Sequence, residues 1–191
     1  MTSKSDLREA FSRAMSTAEG RAGSLPLDEP RLTDARRAIK TEIALGFSKA
    51  LADYLNTAVD PTGDGLLVPM LAPRLLPFGA ALFAHGAVTN NDAIAGITDS
   101  AVRAAWASLN PLAFAPQTPP VPGGVKLSSI AVLTPMGPMT GLYKQGSKDG
   151  FLSYLSDAVH LSLTTSVCTV LHTVPAPSGQ APGPPLVLPL R

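Results

Sequence analysis

One cysteine, Cys168, stands among 191 residues, so no disulfide can form within the chain, and a reduced, buried thiol is the ordinary state of such a residue. Charge is also scarce. Charged side chains make up 15% of the sequence where about 25% is usual, which leaves a surface poorly suited to a free monomer and points to burial against partners. Because 15 Lys and Arg face 14 Asp and Glu, there is no net field to recruit nucleic acid or an anionic membrane, and no nucleic-acid partner is expected. Catalytic signatures are missing as well: neither a G-x-S-x-G elbow nor an H-E-x-x-H helix occurs. The N-terminal stretch MTSKSDLREAFSRAMSTAEG carries Asp6 and Glu9 and has no long apolar centre, so it does not read as a secretory signal.

An unbroken hydrophobic span is the last absence. Residues 66–88, LLVPMLAPRLLPFGAALFAHGAV, are long enough to cross a bilayer. Pro69, Pro73 and Pro77 recur every fourth residue, however, and Arg74 sits near the middle, which opposes a spanning helix. The segment reads instead as an extended stretch leading into a short buried helix at 79–85. Membrane association through 66–88 is the alternative.

What is present is helical periodicity, then prolines. Leu7, Phe11, Ala14, Met15 and Ala18 stripe a helix over 5–18. Gly20, Gly23, Pro26 and Pro30 follow as a linker. Thr33 reads as an N-cap for a long central helix in which Ile39, Ile43, Phe47, Ala50, Tyr54 and Ala58 step by three or four, stopped by Asp60 and Pro61 with the turn PTGDG. NNDAIAG predicts a turn or two of helix. Thr98 then caps SAVRAAWASL, whose apolar face holds Trp106, and Pro111 ends it. PLAFAPQTPPVPGG reads as a stiff spacer. VKLSSIAVL predicts a strand over 125–133, FLSYLSDAVHLSL an amphipathic helix with Phe151, Leu155, Ala158 and Ser162 on one face, and the β-branched run TTSVCTVLHTV a strand over 165–174. From Pro175 the sequence PAPSGQAPGPPLVLPLR has too many prolines for a helix or a central strand, with a last short strand near 186–190.

The expected fold class is therefore α+β: a helix-dominated small domain with a few short strands and extended Pro-rich arms. The organisation predicted is an N-terminal helix and linker (1–30), a helical region with an apolar, Pro-containing middle (31–110), a Pro-rich linker (111–124), a strand–helix–strand region (125–174) and an extended C-terminal arm (175–191). The arm's Leu186, Val187, Leu188 and Leu190 supply apolar area and backbone donors for pairing with the sheet edge of a neighbour. These four residues, with Trp106, are the candidate interface.

Three clusters could carry chemistry. GLYKQGSKDG at 141–150 approaches a phosphate loop, but Ser147 and Lys148 stand in the reverse of the order that such a loop requires, so it reads as a turn that starts a helix. Cys168 and His172, four apart, share one side of a helix or a strand and read as buried. His85 and His160 add no ligand set for a metal. No catalytic residue, cofactor or metal is expected, and an enzyme or nucleotide-binding module remains the remoter alternative.

In style, TDARRAIKTEIALGFSKALADYLNTAV, the Gly/Pro-rich apolar middle and the extended tail TTSVCTVLHTVPAPSGQAPG resemble the small structural proteins of tailed-phage virions and phage-derived contractile particles. The resemblance implies a non-enzymatic subunit of a connector, collar, tail or capsid lattice, located in the virion or in the bacterial cytoplasm during assembly. Its implied partners are copies of itself and other structural subunits, with the termini draped over neighbours.

Overall fold

The computed structural model describes residues 3–22, 28–67, 72–84, 91–137 and 147–190. The chain is a helix-dominated α+β protein: helices α1 (Lys4–Ala22), α2 (Glu29–Leu55), α3 (Leu76–Phe83), α4 (Asn91–Leu109) and α5 (Lys148–Thr165), with a small antiparallel sheet of β1 (Leu112–Ala113), β2 (Lys126–Val132), β3 (Val167–Ala176), β4 (Gly179–Pro182) and β5 (Leu186–Pro189).

Helix α1 runs past its expected end at 18 into the start of the expected linker, so that Gly20 is helical, and Gly23 and Pro26 lie outside the described residues. Helix α2 starts one turn earlier than Thr33, with Asp28 at its N-cap and Pro30 in its first turn. A proline fits there because the first helical N–H groups have no intrahelical partner to lose. Only the C-terminal half of α2 is central: its buried positions begin at Phe47, whereas 29–41 is mostly exposed. Helix α4 is one continuous helix, and Thr98 lies inside it with a buried hydroxyl that finds no partner, rather than capping a second helix. The helix expected at 79–85 begins earlier, as a 3-10 turn Ala72–Leu75 that runs into α3; Pro69 and His85 fall outside the described residues. Ser147 caps α5, its hydroxyl accepting from the Gly150 N–H at 3.1 Å.

The core is continuous through all of these elements. Phe11 stacks on Phe47 with ring centroids 4.8 Å apart, and Phe83 meets Phe47 edge-on at 5.2 Å. Gly79 brings α3 so close to α2 that a Cβ there would lie 2.1 Å from the Ala44 carbonyl oxygen, so any side chain at 79 would drive the two helices apart.

In the sheet, β3 is central. β2 pairs along one flank, with Ile130 opposite Thr169 and Val132 opposite Val167. On the other flank β4 pairs with the second half of β3 and β5 with the first. The described part of the tail, 175–190, is thus not a free arm: it finishes β3 and adds β4 and β5 to the chain's own sheet, with Leu190 buried in the core. Placement of the prolines explains why they are tolerated. The Leu190 N–H donates to Ser166 O at 3.2 Å and the Gly183 N–H to His172 O at 2.9 Å. The two-residue period then turns the backbone nitrogens of Pro182 and Pro189 away from β3, where no ladder bond is lost.

Candidate functional site

The surface that the sheet presents is set by how β2 and β3 alternate. Ala131, Cys168 and Val170 point into the core, so their neighbours must point out. Those neighbours are apolar: Leu127 is 59% exposed, Ile130 39%, Val132 56% and Val187 60%, with Val167 and Leu171 also open to solvent. The register sets them side by side. Val132 faces Val167 across the β2–β3 pair, and Val187 stands next to Thr169 on β5. With Thr169 and Ser128 among them, they gather several exposed apolar side chains on one face of the sheet, and such clusters mark surfaces that meet a partner.

The inner side of the same sheet holds a charge cluster whose members lie too far apart in sequence to read as a unit. Lys126, at the start of β2, is fully buried; its Nζ lies 2.5 Å from Asp60 Oδ2 and 2.6 Å from Asp64 Oδ2, and it also donates to the Thr62 hydroxyl at 2.9 Å. The turn after α2 folds around Asp60, whose Oδ1 accepts from the N–H of Thr62 and of Asp64. Asp64 in turn accepts from the Gln117 and Thr118 N–H groups and the Thr118 hydroxyl, which ties the proline-rich segment 111–124 to the core. Ser129 donates to Asp60 Oδ2 at 2.5 Å and lies 3.3 Å from the Cys168 sulfur. Burial alone would raise both carboxyl pKa values, but the hydrogen bonds from Lys126 and its neighbours outweigh it. Asp60 is held below its usual range by Lys126, Ser129, Thr62 and the Asp64 N–H. Asp64 is brought down to about 2 by Lys126, Thr118 and the lysine charge. Burial pushes the Cys168 thiol up, so it is no activated nucleophile.

The residues singled out beforehand are placed as follows. Trp106 is 1% exposed and its Nε1–H donates to Ser162 Oγ at 2.5 Å, so it anchors the core and not an interface: the face of α4 that carries it is the one that packs on α5. Leu190 is buried, and Leu186 packs against the core. Val187 is exposed on the outer face, and Leu188, opposite Cys168, is exposed at the sheet margin. The donors of Leu186 and Leu188 face β3 by the same two-residue parity, so of the three tail donors Leu186, Val187 and Leu188 the Val187 N–H is the one turned away from the chain's own sheet. Cys168 and His172 share the inner face of β3 but stand four strand residues, about 13 Å, apart. His160 is bound by Tyr54, whose hydroxyl lies 2.6 Å from its Nδ1. Lys148 is engaged by Glu19 at 2.5 Å, and the first half of 141–150 falls outside the described residues.

A groove of about 560 Å³ between α1 and α5 offers little chemistry, because its cations are paired with its acids: Lys4 with Asp157 at 2.7 Å and Arg8 with Asp149 at 3.6 Å. Among the described residues no group of three or more His, Cys, Asp or Glu is placed to hold a metal ion, and no helix is long and apolar enough to cross a membrane. Compared with known proteins, the chain matches no family model, no curated protein and no solved structure.

Proposed function

We propose that this chain is a non-enzymatic structural subunit of an oligomeric assembly, and that it docks onto a second copy through the outer face of its sheet. The setting that its style of sequence suggests is a tailed-phage virion or a related particle. The observation behind this reading is the group Leu127, Ile130, Val132, Val167, Leu171 and Val187, whose apolar side chains are exposed on one face of the sheet. Hydrophobic burial against a like surface would remove that cost, at about 25 cal/mol per Å² covered. Sheet-on-sheet packing suits it, since two such faces interdigitate about 10 Å apart.

The test is native mass against concentration, by light scattering after size exclusion, for the full chain and for Ile130→Lys combined with Leu171→Lys. A discrete oligomer for the parent and a folded monomer for the double variant are expected. A parent chain that stays monomeric at high concentration would sink this reading, as would a double variant that assembles unchanged.

A further inference from the structure

Lys126 is a primary amine with no solvent exposure, pressed between two carboxylates. Such fixed proximity makes an otherwise bimolecular reaction effectively unimolecular, with effective molarities that can reach about 10⁵–10⁸ M. The two carboxylates are held in different ways. Asp60 Oδ1 sits among three donors, the Thr62 N–H at 2.9 Å, the Thr62 hydroxyl at 2.7 Å and the Asp64 N–H at 3.0 Å. Its Oδ2 meets the lysine nitrogen and the Ser129 hydroxyl, each at 2.5 Å. A carboxyl so arranged is set up as the acyl donor, because the donors around Oδ1 lie where negative charge collects when a nucleophile adds to Cγ. Asp64 Oδ2 touches the same nitrogen at 2.6 Å, within reach to carry a proton from it.

We propose that Lys126 and Asp60 close an intramolecular amide bond in the folded chain, with Asp64 as the proton carrier. One proton of the ammonium passes to Asp60 Oδ2, giving a neutral amine and a neutral acid, a pair that a dry interior penalises less than isolated ions. The nitrogen lone pair then forms a bond to Cγ, and Oδ1 takes the negative charge among its three donors. Asp64 accepts a second proton from the nitrogen and delivers it to Oδ2. The Cγ–Oδ2 bond breaks, and both protons leave with that oxygen as one water. The nitrogen keeps its remaining hydrogen, Asp64 returns to a carboxylate, nothing is oxidised or reduced, and no co-reactant is consumed. Asp64 is also the carboxylate with slight exposure, 5% against 0% for Asp60, so the water departs on its side. The product staples the turn after α2 to β2, a cross-link between residues 66 positions apart in sequence.

The measurement is the intact mass of the full chain under denaturing conditions, followed by tryptic mapping. The expected mass is that of the sequence less one water. Trypsin should no longer cut after Lys126, and peptide 50–74 should be found joined to peptide 104–144, with fragmentation placing the link at Asp60. A folded chain that keeps its full sequence mass after prolonged incubation overturns the proposal, and so does a link at Asp64. The isosteric Asp64→Asn chain, checked as folded by circular dichroism, should retain the full mass; bond closure at the parent rate would remove Asp64 from the mechanism.

Discussion

The two sides of the β2–β3 pair invert the usual order of a half-buried sheet. Toward the core it presents Lys126, Ser129 and His172 beside Ala131, Cys168 and Val170; toward solvent it presents Leu127, Ile130, Val132, Val167 and Leu171. The buried polar groups are tolerated because nearly each has a partner, the His172 Nδ1 atom being an exception. The exposed apolar groups stay largely open to solvent among the described residues. One side is thus complete in itself, and the other is complete only when something covers it.

The largest effect should come from removing the lysine. In the chain that still has its full sequence mass, Lys126→Met leaves Asp60 and Asp64 buried without the cation that holds them, and loss of one partner from a buried charge cluster costs about 3–5 kcal/mol. Urea unfolding followed by circular dichroism should show that loss. A cost under about 1 kcal/mol would mean that the inner side is not held by its charges. Leu190→Ala comes next. Leu190 is buried although it lies next to the C-terminal residue, and truncation of a buried leucine costs about 2 kcal/mol or more. Val187→Ala, three residues earlier on the outer face, should cost almost nothing by the same measurement. Equal costs would erase the distinction between the two sides.

Acid sharpens the comparison further, because only the inner side titrates. While Lys126 is unlinked and charged, Asp64 has its pKa depressed from 3.8 to about 2. A carboxylate with a lowered folded pKa adds stability that is fully present above the unfolded value and disappears as pH falls through the folded one. Stability should therefore be level above about pH 4 and fall by roughly 2 kcal/mol by pH 2 on this account. Thermal unfolding across pH 2–7 checks it; a flat profile down to pH 2 would place the carboxylates outside the stabilising cluster.

Much of the fold was legible in the sequence where one period dominates. The stripes Leu7–Phe11 and Phe47–Ala50–Tyr54 do bury their faces in α1 and α2, and the strands expected at 125–133 and 165–174 lie at β2 and β3. The faces of the strands were not legible. A register shift between Lys126 and Ser128 breaks the alternation of β2, and a slip of one residue exchanges the two sides of a strand. In the tail the short strand expected near 186–190 is β5, but its pairing within the chain's own sheet is hidden because the number of prolines argues against it, whereas Pro182 and Pro189 are harmless by parity. Asp60 was visible only as the end of a helix. Its role depends on Lys126, 66 residues away, and on Ser129, 69 residues away, and nothing local to PTGDG announces either.

The smallest expected effect on the isolated chain is also the one that separates the two sides most cleanly. Leu127 projects into solvent beside a buried lysine, so Leu127→Lys adds a charge where water already reaches and removes no contact from the core. At dilutions where the chain is monomeric, its unfolding free energy should stay within about 0.5 kcal/mol of the parent, as for surface positions in general. The two chains should diverge as concentration rises. Association through the outer face stabilises the folded state by mass action, so the parent's Tm climbs with protein concentration. A lysine at 127 must be desolvated before the same face can close, so the Tm of the variant stays level. A parent Tm that ignores concentration, or a variant Tm that follows it equally, would mean that the apolar side of the sheet is not where copies of the chain meet.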